Sequence, residues 1–489
     1  MAKGKPGGGP TLYYEIADFK QGMDLRKSPL TAPAGTMRLL QNAHVTPGGE
    51  VEKRSAFQQW ADAPAGSLGL CQVNGQPYTH LPGGSNTPPG ANNIGVLGIA
   101  QPSSDTLIRQ TAFDVYNGQI YAAFQGSSGY YNYYNGVAVA TPFPSGLSDG
   151  GAGYYVRTYK EKMYALYNRY LQFSAVGDPL TWRDPPPDAQ GNVAHNGSGF
   201  INVSANDADS EELISMEVYY DKMALFSSLS CQLWFLDPDP SLNQYYQTLR
   251  DAGTQAPRSV RQYVANDVYF LGTHGIRSLR ARDLSLTAAV ADVGSPLDPL
   301  IQTLLGGTTP DTTKTIAVLS PRSGRIWMVM SDRIYILSNF ASPNISAWSV
   351  YLPDNFTITD AVYADPYVIL RDSNDHLWRF GSSGPLQFDS CPVTVILPWL
   401  SFDKPATFKW YEGLDAICTN TWDIQASLDP TASPQPWDDW ATFTGPSMLG
   451  GRTPVQSRST HVQLQLTCAS PGPATFSKIF IHYSPSDTD

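Results

Sequence analysis

Short apolar runs return along the chain at intervals of similar length. The stretch VYNGQIYAAF at positions 115–124 has an aromatic residue, a short polar turn and an apolar run, and this order occurs five more times. The runs are anchored at Ile120, Met163, Met223, Val268, Ile326 and Val368, at spacings of 43, 60, 45, 58 and 42 residues. A second apolar run starts 8 to 10 residues after each anchor, near Tyr130, Leu171, Leu233, Ile276, Ile334 and Leu377. Two strands joined by a polar turn give this pattern, and a helix does not.

The length of the repeated unit predicts the fold. Units of about 40–50 residues that contain several short strands are typical of β-propeller blades. We therefore predict an all-β chain with a β-propeller of six blades, and unrelated hairpins in a sandwich are the alternative fold. The stretch CQVNGQPYTHL at 71–81 is a weaker copy, which predicts either a seventh blade or a strand that closes the ring.

The pattern changes at both ends of the repeats, which divides the chain into three parts. Positions 67–386 form the predicted propeller with its loop insertions. Positions 387–489 contain HVQLQLTC and KIFIHY, which alternate apolar and polar residues as half-buried antiparallel strands do. We predict a small C-terminal β-sandwich there. Positions 1–66 are predicted to be an N-terminal arm and a propeller-closing or interface segment. Its first ten residues are rich in glycine and proline, and we expect a partner chain to pin them.

Composition and charge narrow the functional classes. Charged residues are 15% of the chain, aromatic residues are 12%, and the net charge is −11. Without a run of Lys or Arg, tight nucleic-acid binding is not expected, although an acidic wall lets DNA slide past without adhering. The start MAKGKPGGGP has no apolar core and no apolar stretch approaches 18 residues, so we expect neither a signal peptide nor a membrane span. Separated cysteines predict buried thiols in a reducing compartment, and they are Cys71, Cys231, Cys391, Cys418 and Cys468.

Motifs for chemistry are sparse. The seven histidines are scattered, and no metalloprotease, nucleophile-elbow or phosphate-loop motif occurs. ANDADSEEL at 205–213 lacks the glycine and final glutamate of a calcium loop, and LDPDP at 236–240 is typical of a rigid turn. GDPLTW at 177–182 is similar to the Asp-box turn of sialidase blades, but it occurs once. We therefore predict no catalytic residue, no cofactor and no metal site, and a protein that is not an enzyme.

Four longer stretches have residues at spacings typical of structural motifs, and none of these motifs is catalytic. They are 18–57, 173–185 (FSAVGDPLTWRDP), 245–279 (YYQTLRDAGTQAPRSVRQYVANDVYFLGTHGIRSL) and 472–485 (GPATFSKIFIHYSP). The first contains Phe19, Gly22, Pro29, Pro33, Gly35, Asn42, Gly49 and Arg54. Together these stretches resemble the tail nozzle or hub ("stabilisation", tail tubular protein B-like) proteins of short-tailed bacteriophages. The resemblance does not cover the first ten residues or 126–151.

This resemblance implies a structural role in the virion. It implies a homohexameric ring below the head–tail adaptor, a lumen for DNA retention and ejection without sequence-specific binding, and contacts with tail fibres, spikes or a needle. Assembly in the cytoplasm of the host bacterium is implied as well. The insertions at 126–151, 183–199 and 291–314 are then candidates for a constriction or for partner docking.

Two other functions are alternatives to a structural role in a phage tail. A propeller glycosidase or polysaccharide depolymerase would need a concave pair of carboxylates. A glycan-binding adhesin would use surface aromatic residues, and the cluster Tyr130, Tyr131, Tyr133 and Tyr134 could serve it. We favour a blade strand with one aromatic face for that cluster.

Overall fold

Strands form most of the regular structure of the chain. The computed structural model describes residues 11–140, 147, 151–206, 211–263, 266–284, 292–342, 344–353, 356–381, 387–448 and 452–486. The glycine- and proline-rich start, for which we predict a partner chain, lies outside these residues. Among the described residues, no helix has the length and apolar character needed to cross a bilayer.

The N-terminal segment contributes strands to two different parts of the molecule. Its five strands are β1 Leu12–Ile16, β2 Leu39–Gln41, β3 Ala43–Val45, β4 Val51–Lys53 and β5 Phe57–Asp62. Three of them, β1, β2 and β4, pair with strands of the C-terminal part, β3 pairs with β4, and β2 also pairs with the propeller. The fifth completes a propeller blade.

Seven small sheets of described residues follow one another in chain order, and we number them as blades 1 to 7. Blade 1 has β6 Leu68–Val73, β7 Gln76–Pro82 and β8 Gly95–Ile99. Blade 2 has β9 Leu107–Tyr116, β10 Gln119–Gly126, β11 Tyr130–Tyr134 and β12 Val137–Ala138. Blade 3 has β13 Tyr155–Tyr159, β14 Lys162–Tyr167, β15 Tyr170–Phe173 and β16 Gly199–Asn202. Blade 4 has β17 Ser215–Tyr219, β18 Lys222–Phe226, β19 Ser230–Phe235 and β20 Gln244–Arg250.

The second half of the ring includes the helical connection. Blade 5 has β21 Arg261–Tyr263, β22 Asp267–Gly272 and β23 Gly275–Ser278. Two helices follow it, α1 Leu279–Leu284 and α2 Asp298–Leu305. Blade 6 has β24 Ile316–Ser320, β25 Arg325–Val329, β26 Ile334–Phe340 and β27 Ile345–Tyr351. Blade 7 has β28 Ile358–Ala364, β29 Tyr367–Asp372 and β30 His376–Phe380, and β5 is its fourth strand.

Contacts between the first strands of the blades show that the ring is closed. Each first strand contacts the first strand of the next blade, from β6 through β9, β13, β17, β21 and β24 to β28, and β28 contacts β6. The hydrophobic clusters outside the sandwich lie between adjacent blades. Second strands such as β14 and β18 are therefore buried on both faces, which explains their continuous apolar runs.

The predicted propeller is confirmed, and its ring has seven blades in the described part of the chain. The six anchors lie on the second strands of blades 2 to 7, and the second apolar runs lie on the third strands. The weaker copy at 71–81 forms most of β6 and β7 in blade 1, so the seven-blade alternative describes the ring. Its third strand runs parallel to β7, which explains why the repeat is weaker there.

The C-terminal part is a sandwich of two sheets that takes strands from the N-terminal segment. Its own strands are β31 Val393–Ile396, β32 Phe408–Thr419, β33 Trp422–Ser427, β34 Asp438–Phe443, β35 Thr453–Ser459, β36 Gln463–Cys468 and β37 Thr475–Ser486. One sheet has the order β3-β4-β37-β32-β35, with β1 also paired to β37. The other sheet continues from β27 through β2 to β31, β36, β33 and β34. A continuous sheet thus joins blade 6 to the sandwich.

Candidate functional site

Paired charges fill the middle of the ring. Arg258, in a short 3-10 helix at Pro257–Ser259, donates from Nη2 to Oδ1 of Asp360 at 2.5 Å. The backbone N–H of Leu70 donates to the other oxygen of Asp360 at 3.1 Å. The two side chains are only 20% and 7% exposed. Because each charge has its partner, both are tolerated in a buried place.

A second charged network joins the first strands of blades 2, 3 and 4. Arg157 on β13 forms an ion pair with Glu217 on β17 and lies 3.5 Å from Asp114 on β9. Asp114 also accepts a hydrogen bond from the backbone N–H of Thr158 at 2.6 Å. Burial of Arg157 is offset by these carboxylates, and the net effect raises the pKa of its guanidinium. The network fixes three neighbouring blades to one another around the axis.

Two cavities lie on either side of Arg258. The larger encloses about 630 Å³ and includes the carboxylates of Asp311, Asp360, Asp372 and Asp375 in its lining. The smaller encloses about 260 Å³ and lies against β24 and β28. Arg258 is in the lining of both cavities, and Asp360 is in the lining of the larger one.

The carboxylates of the larger cavity are already held by the protein. Asp375 pairs with Arg371 at 2.6 Å, and Asp311 pairs with Lys314 at 3.1 Å. Asp372 accepts hydrogen bonds from the backbone N–H groups of Asn374 and His376 at 2.8 and 2.9 Å. Groups bound in this way stabilise turns, and the cavity therefore offers polar walls rather than an evident acid and base.

The acidic motifs noted in the sequence are also parts of turns. In GDPLTW, Asp178 accepts from the hydroxyl of Thr181 at 2.6 Å, and Trp182 is buried between blades 2 and 3. In LDPDP, Asp239 accepts from the backbone N–H of Ser241 at 2.9 Å and begins a 3-10 helix. ANDADSEEL lies partly outside the described residues, and its Glu211 binds the hydroxyls of two serines in the β18–β19 turn.

One end of blades 2, 3 and 4 carries a set of exposed apolar side chains, which we call the rim surface. In each blade the turn after the first strand and the connection after the third strand lie at this end, because the strands are antiparallel. Its large apolar members are at least 40% exposed, and they are Val137, Val176, Leu180, Val193, Tyr220, Leu242, Tyr245 and Tyr246. Monomeric proteins rarely group such residues, so this surface is a candidate for docking. The repeat pattern did not indicate it, since its residues lie outside the apolar runs.

Hydrogen bonds show that the three blades present this end on the same side. The hydroxyl of Tyr116 in blade 2 donates to the carbonyl of Glu161 in blade 3 at 2.9 Å. Lys160 of blade 3 donates to the carbonyl of Leu236 in blade 4 at 2.7 Å. The three blade ends that carry the rim surface are therefore neighbours on one side of the ring.

The three predicted insertions differ in structure. The one at 183–199 is largely exposed beside the rim surface, and the buried Lys162 holds its end by donating to the carbonyl of Gly197 at 2.6 Å. The described part of 291–314 packs into the core through Leu297 and Ile301 of its helical region, instead of projecting as a loop. Within 126–151, residues 130–134 and 137–138 form β11 and β12, and 141–146 and 148–150 lie outside the described residues.

The tyrosine cluster of β11 packs on both faces of blade 2. Tyr133 belongs to the cluster between blades 1 and 2 and donates its hydroxyl to the carbonyl of Ala100 at 2.5 Å. Tyr134 packs against the cluster between blades 2 and 3. The strand assignment is thus correct, but the aromatic residues are divided between two faces.

The thiols and other potential ligands do not form a metal centre in the described chain. All five cysteines are free and buried, as predicted. Among the described residues, no group of three or more His, Cys, Asp or Glu side chains is placed to hold a metal ion.

No family model and no curated protein matches the chain. Solved structures with a similar fold include the WD40 domain of Neurospora crassa Pan2, with 11% identity, a TM-score of 0.37 and coverage of 68% of this chain and 96% of that one. BamB from Moraxella catarrhalis has 8% identity and a TM-score of 0.30, covering 57% and 84%. The extracellular domain of a hybrid two-component system from B. thetaiotaomicron has 11% identity and a TM-score of 0.41, and the match covers 68% of this chain. The chain spans 42% of the length of that domain.

Proposed function

We propose that the chain is the structural subunit of a ring-shaped nozzle in a short bacteriophage tail. Several copies surround a lumen below the head–tail adaptor, and DNA is retained in this lumen and later ejected through it. Fibres, spikes or a needle dock on the ring. The subunit acts by its shape and rigidity, and no step of chemistry is assigned to it.

The interlocked N-terminal segment is the observation that carries this proposal. The stretch 18–57, where the resemblance to tail nozzle proteins is densest, contains β2, which joins blade 6 to the sandwich, and β3 and β4 of the other sheet. Lys53 is buried there and donates to the carbonyls of Asp389 and Ser470 at 2.6 and 2.7 Å. Arg54 is buried beside it and binds Asn42 and Asp389, each at 3.1 Å. Parts that are tied in this way move together, which suits the wall of a tube.

The middle of the propeller supports a lumen between copies rather than through one copy. Arg258 and Asp360 pair at 2.5 Å among the first strands of the blades, where Leu70 of blade 1 also binds Asp360, so we expect no passage for a DNA duplex through a single ring. A lumen of the required width would need several subunits arranged around a symmetry axis. The net charge of −11 suits a wall that does not retain a polyanion.

The rim surface is our candidate for contact with a neighbouring tail component. It combines apolar side chains with an exposed loop at 183–199, and such surfaces mark sites of protein association. Deletion of 183–199 should leave the propeller folded, because the loop lies outside the blade core. It should impair either the attachment of fibres or the retention of DNA. Unchanged particle assembly and infectivity would remove this loop from the proposal.

A protein census of purified virions tests the proposed function. Quantitative mass spectrometry, scaled to the major capsid protein, should find about six copies of the chain per particle, as a closed ring of this symmetry requires. Shearing the tails from the heads should remove the chain from the head fraction. Absence from the particles, or a copy number typical of a capsid protein, would contradict the proposal.

A polysaccharide-degrading or glycan-binding tail protein is the second candidate. The cavity of about 630 Å³ with four carboxylates favours it, because glycosidases use paired acids in a concave site. Purified protein should then clear host capsule or release reducing sugar. The double substitution Asp372→Asn and Asp375→Asn should abolish that release. If the wild-type chain neither hydrolyses nor binds the polysaccharide, the structural role is the remaining proposal.

A further inference from the structure

A pocket opens where the ring closes, between blade 7 and blade 1. It encloses about 560 Å³. Trp60, Tyr367 and Arg379 form its wall on blade 7, and Pro77 and Pro89 belong to the opposite wall on blade 1. Neither of the functions proposed above uses this pocket, which we call the seam pocket.

An arginine lies between two aromatic rings in the wall of the seam pocket. The Cζ atom of Arg379 is 4.2 Å from the centre of the Trp60 ring and 4.5 Å from the centre of the Tyr367 ring. The indole of Trp60 is fixed by its hydrogen bond to the carbonyl of Ala91, at 2.9 Å. Stacking covers the two faces of the planar guanidinium and leaves its N–H groups along the edge.

Arg379 is half-buried and lacks the carboxylate partner that the fully buried arginines have. Its Nε is buried without a hydrogen-bond partner, and no described group accepts a hydrogen bond from its guanidinium. By contrast, the fully buried arginines of the described chain each pair with a carboxylate, and they are Arg54, Arg277 and Arg371. Burial lowers the pKa of Arg379, but an arginine in a protein stays protonated. A partly buried cation without an anion is costly, so a ligand that supplies one would be stabilised here.

The carboxylate among the described lining residues does not fill this role. Asp365 pairs with Arg322 at 2.9 Å and accepts from the hydroxyl of Tyr363 at 2.6 Å. The remaining lining residues are apolar, glycine or neutral. Among the described lining residues, Arg379 is therefore the one charged group without a counter-ion, and its planar guanidinium can donate hydrogen bonds.

We infer that the seam pocket binds a carboxylate presented by a ligand of about the size of a monosaccharide. A guanidinium fork matches a carboxylate in geometry and can donate two parallel hydrogen bonds to it. The rings of Trp60 and Tyr367 hold the fork in one orientation, so less freedom is lost when the ligand binds. The prolines and glycines of the opposite wall leave space for the rest of the ligand.

Calorimetric titration of the full-length chain with sodium D-glucuronate tests this inference. We expect saturable binding of one equivalent and no binding of D-glucose, which lacks the carboxylate. Arg379→Gln should weaken glucuronate binding roughly tenfold or more, because a charge-assisted pair is lost. Arg250→Gln removes the same charge from an exposed site outside both the seam pocket and the larger cavity and should leave affinity unchanged.

Three results would overturn the inference. They are no glucuronate binding to the wild-type chain, equal binding of glucose, and equal loss of affinity in the Arg250→Gln control. Thermal unfolding establishes that Arg379→Gln is folded at the titration temperature. If it is not, Arg379→Lys keeps the charge and removes the fork, and full affinity in that variant would equally contradict a bidentate carboxylate site.

Discussion

The junction of propeller and sandwich and the rim of blades 2 to 4 are built on opposite principles. At the junction, charged side chains are buried and every one discussed above has a partner. Lys53 is only 1% exposed and donates to two carbonyls, and Arg54 binds two side chains. At the rim, apolar side chains such as Leu242 are 55% exposed and nothing described covers them. The contacts at the junction hold the propeller and the sandwich together. The exposed apolar side chains of the rim are typical of a surface that binds another molecule.

The largest expected effect is at the junction, through Arg54. Arg54→Met removes the guanidinium that binds the buried Asn42 and the half-buried Asp389, whose side chain is 34% exposed. We expect a loss of roughly 3 kcal/mol in the free energy of unfolding, the low end of the range for broken buried pairs, because water can solvate part of Asp389. Urea denaturation of the purified chain measures it. Arg322→Met, which breaks a pair whose side chains are 64% and 48% exposed, should cost at most about 1 kcal/mol.

Acid should weaken the same junction through His44. Burial lowers the pKa of His44 to about 4, from 6.5, and Tyr351 donates to its Nδ1 at 2.7 Å. Because the folded chain prefers the neutral imidazole, its stability is complete above pH 6.5 and falls as the pH decreases towards 4. The loss amounts to on the order of 3 kcal/mol.

Substitution of His44 separates this effect from general acid unfolding. Glu52, which lies 3.1 Å from Nε2 of His44, has a lowered pKa and loses stabilising energy in the same direction. The positive Arg325 also disfavours protonation of the histidine. His44→Gln should flatten the dependence of the unfolding midpoint on pH between 6.5 and 4. An unchanged slope would show that His44 does not set it.

A smaller effect is expected where the loop at 183–199 is tied to blade 3. Lys162→Met removes the hydrogen bond to the carbonyl of Gly197 but keeps the apolar stem of the side chain. We expect a change of about 1 kcal/mol in the free energy of unfolding, the usual value for one hydrogen bond. Limited proteolysis should then cut this loop faster, with the blades still intact. Equal cleavage rates would mean that other contacts hold the loop.

The smallest effect on stability is expected at the rim itself. The double substitution Leu242→Ser and Tyr246→Ser should change the free energy of unfolding by no more than about 0.5 kcal/mol, since both side chains are exposed. Particle assembly should nevertheless fall. Leu229→Ser, at the opposite end of blade 4 with 51% exposure, is the matched control. Normal particle assembly with the rim variant would show that the rim surface is not a docking site.

Local patterns revealed the blades because each blade is a local unit. Residue types that favour tight turns mark the hairpins of the ring in the sequence. Asn117 and Gly118, for example, have φ values of 47° and 72° and form the tight turn between β9 and β10. The apolar runs of the second strands follow from burial on both faces. These signals gave the propeller and the position of its strands, but they understated the number of blades.

Non-local pairings left no such signal. The strand β2 has three residues and pairs with β27 and β31, which lie more than three hundred positions further along the chain. The family resemblance included Arg54, but no local pattern indicated that this residue is buried, and no pattern drew attention to Arg379. For the same reason the rim surface and the seam pocket were missed, since both are formed by residues that are far apart in the sequence.

The closing strand β5 also imposes an order of events during synthesis. Asp62 at its end binds His376 of β30, 314 positions later, so the first part of the propeller to be made has to wait for nearly the last. Until β30 leaves the ribosome, β5 has no strand to pair with and the seam between blades 7 and 1 stays open. Translation that stops before β30 therefore yields a chain that cannot close its ring. Synthesis of β30 is thus the step that permits the ring to close.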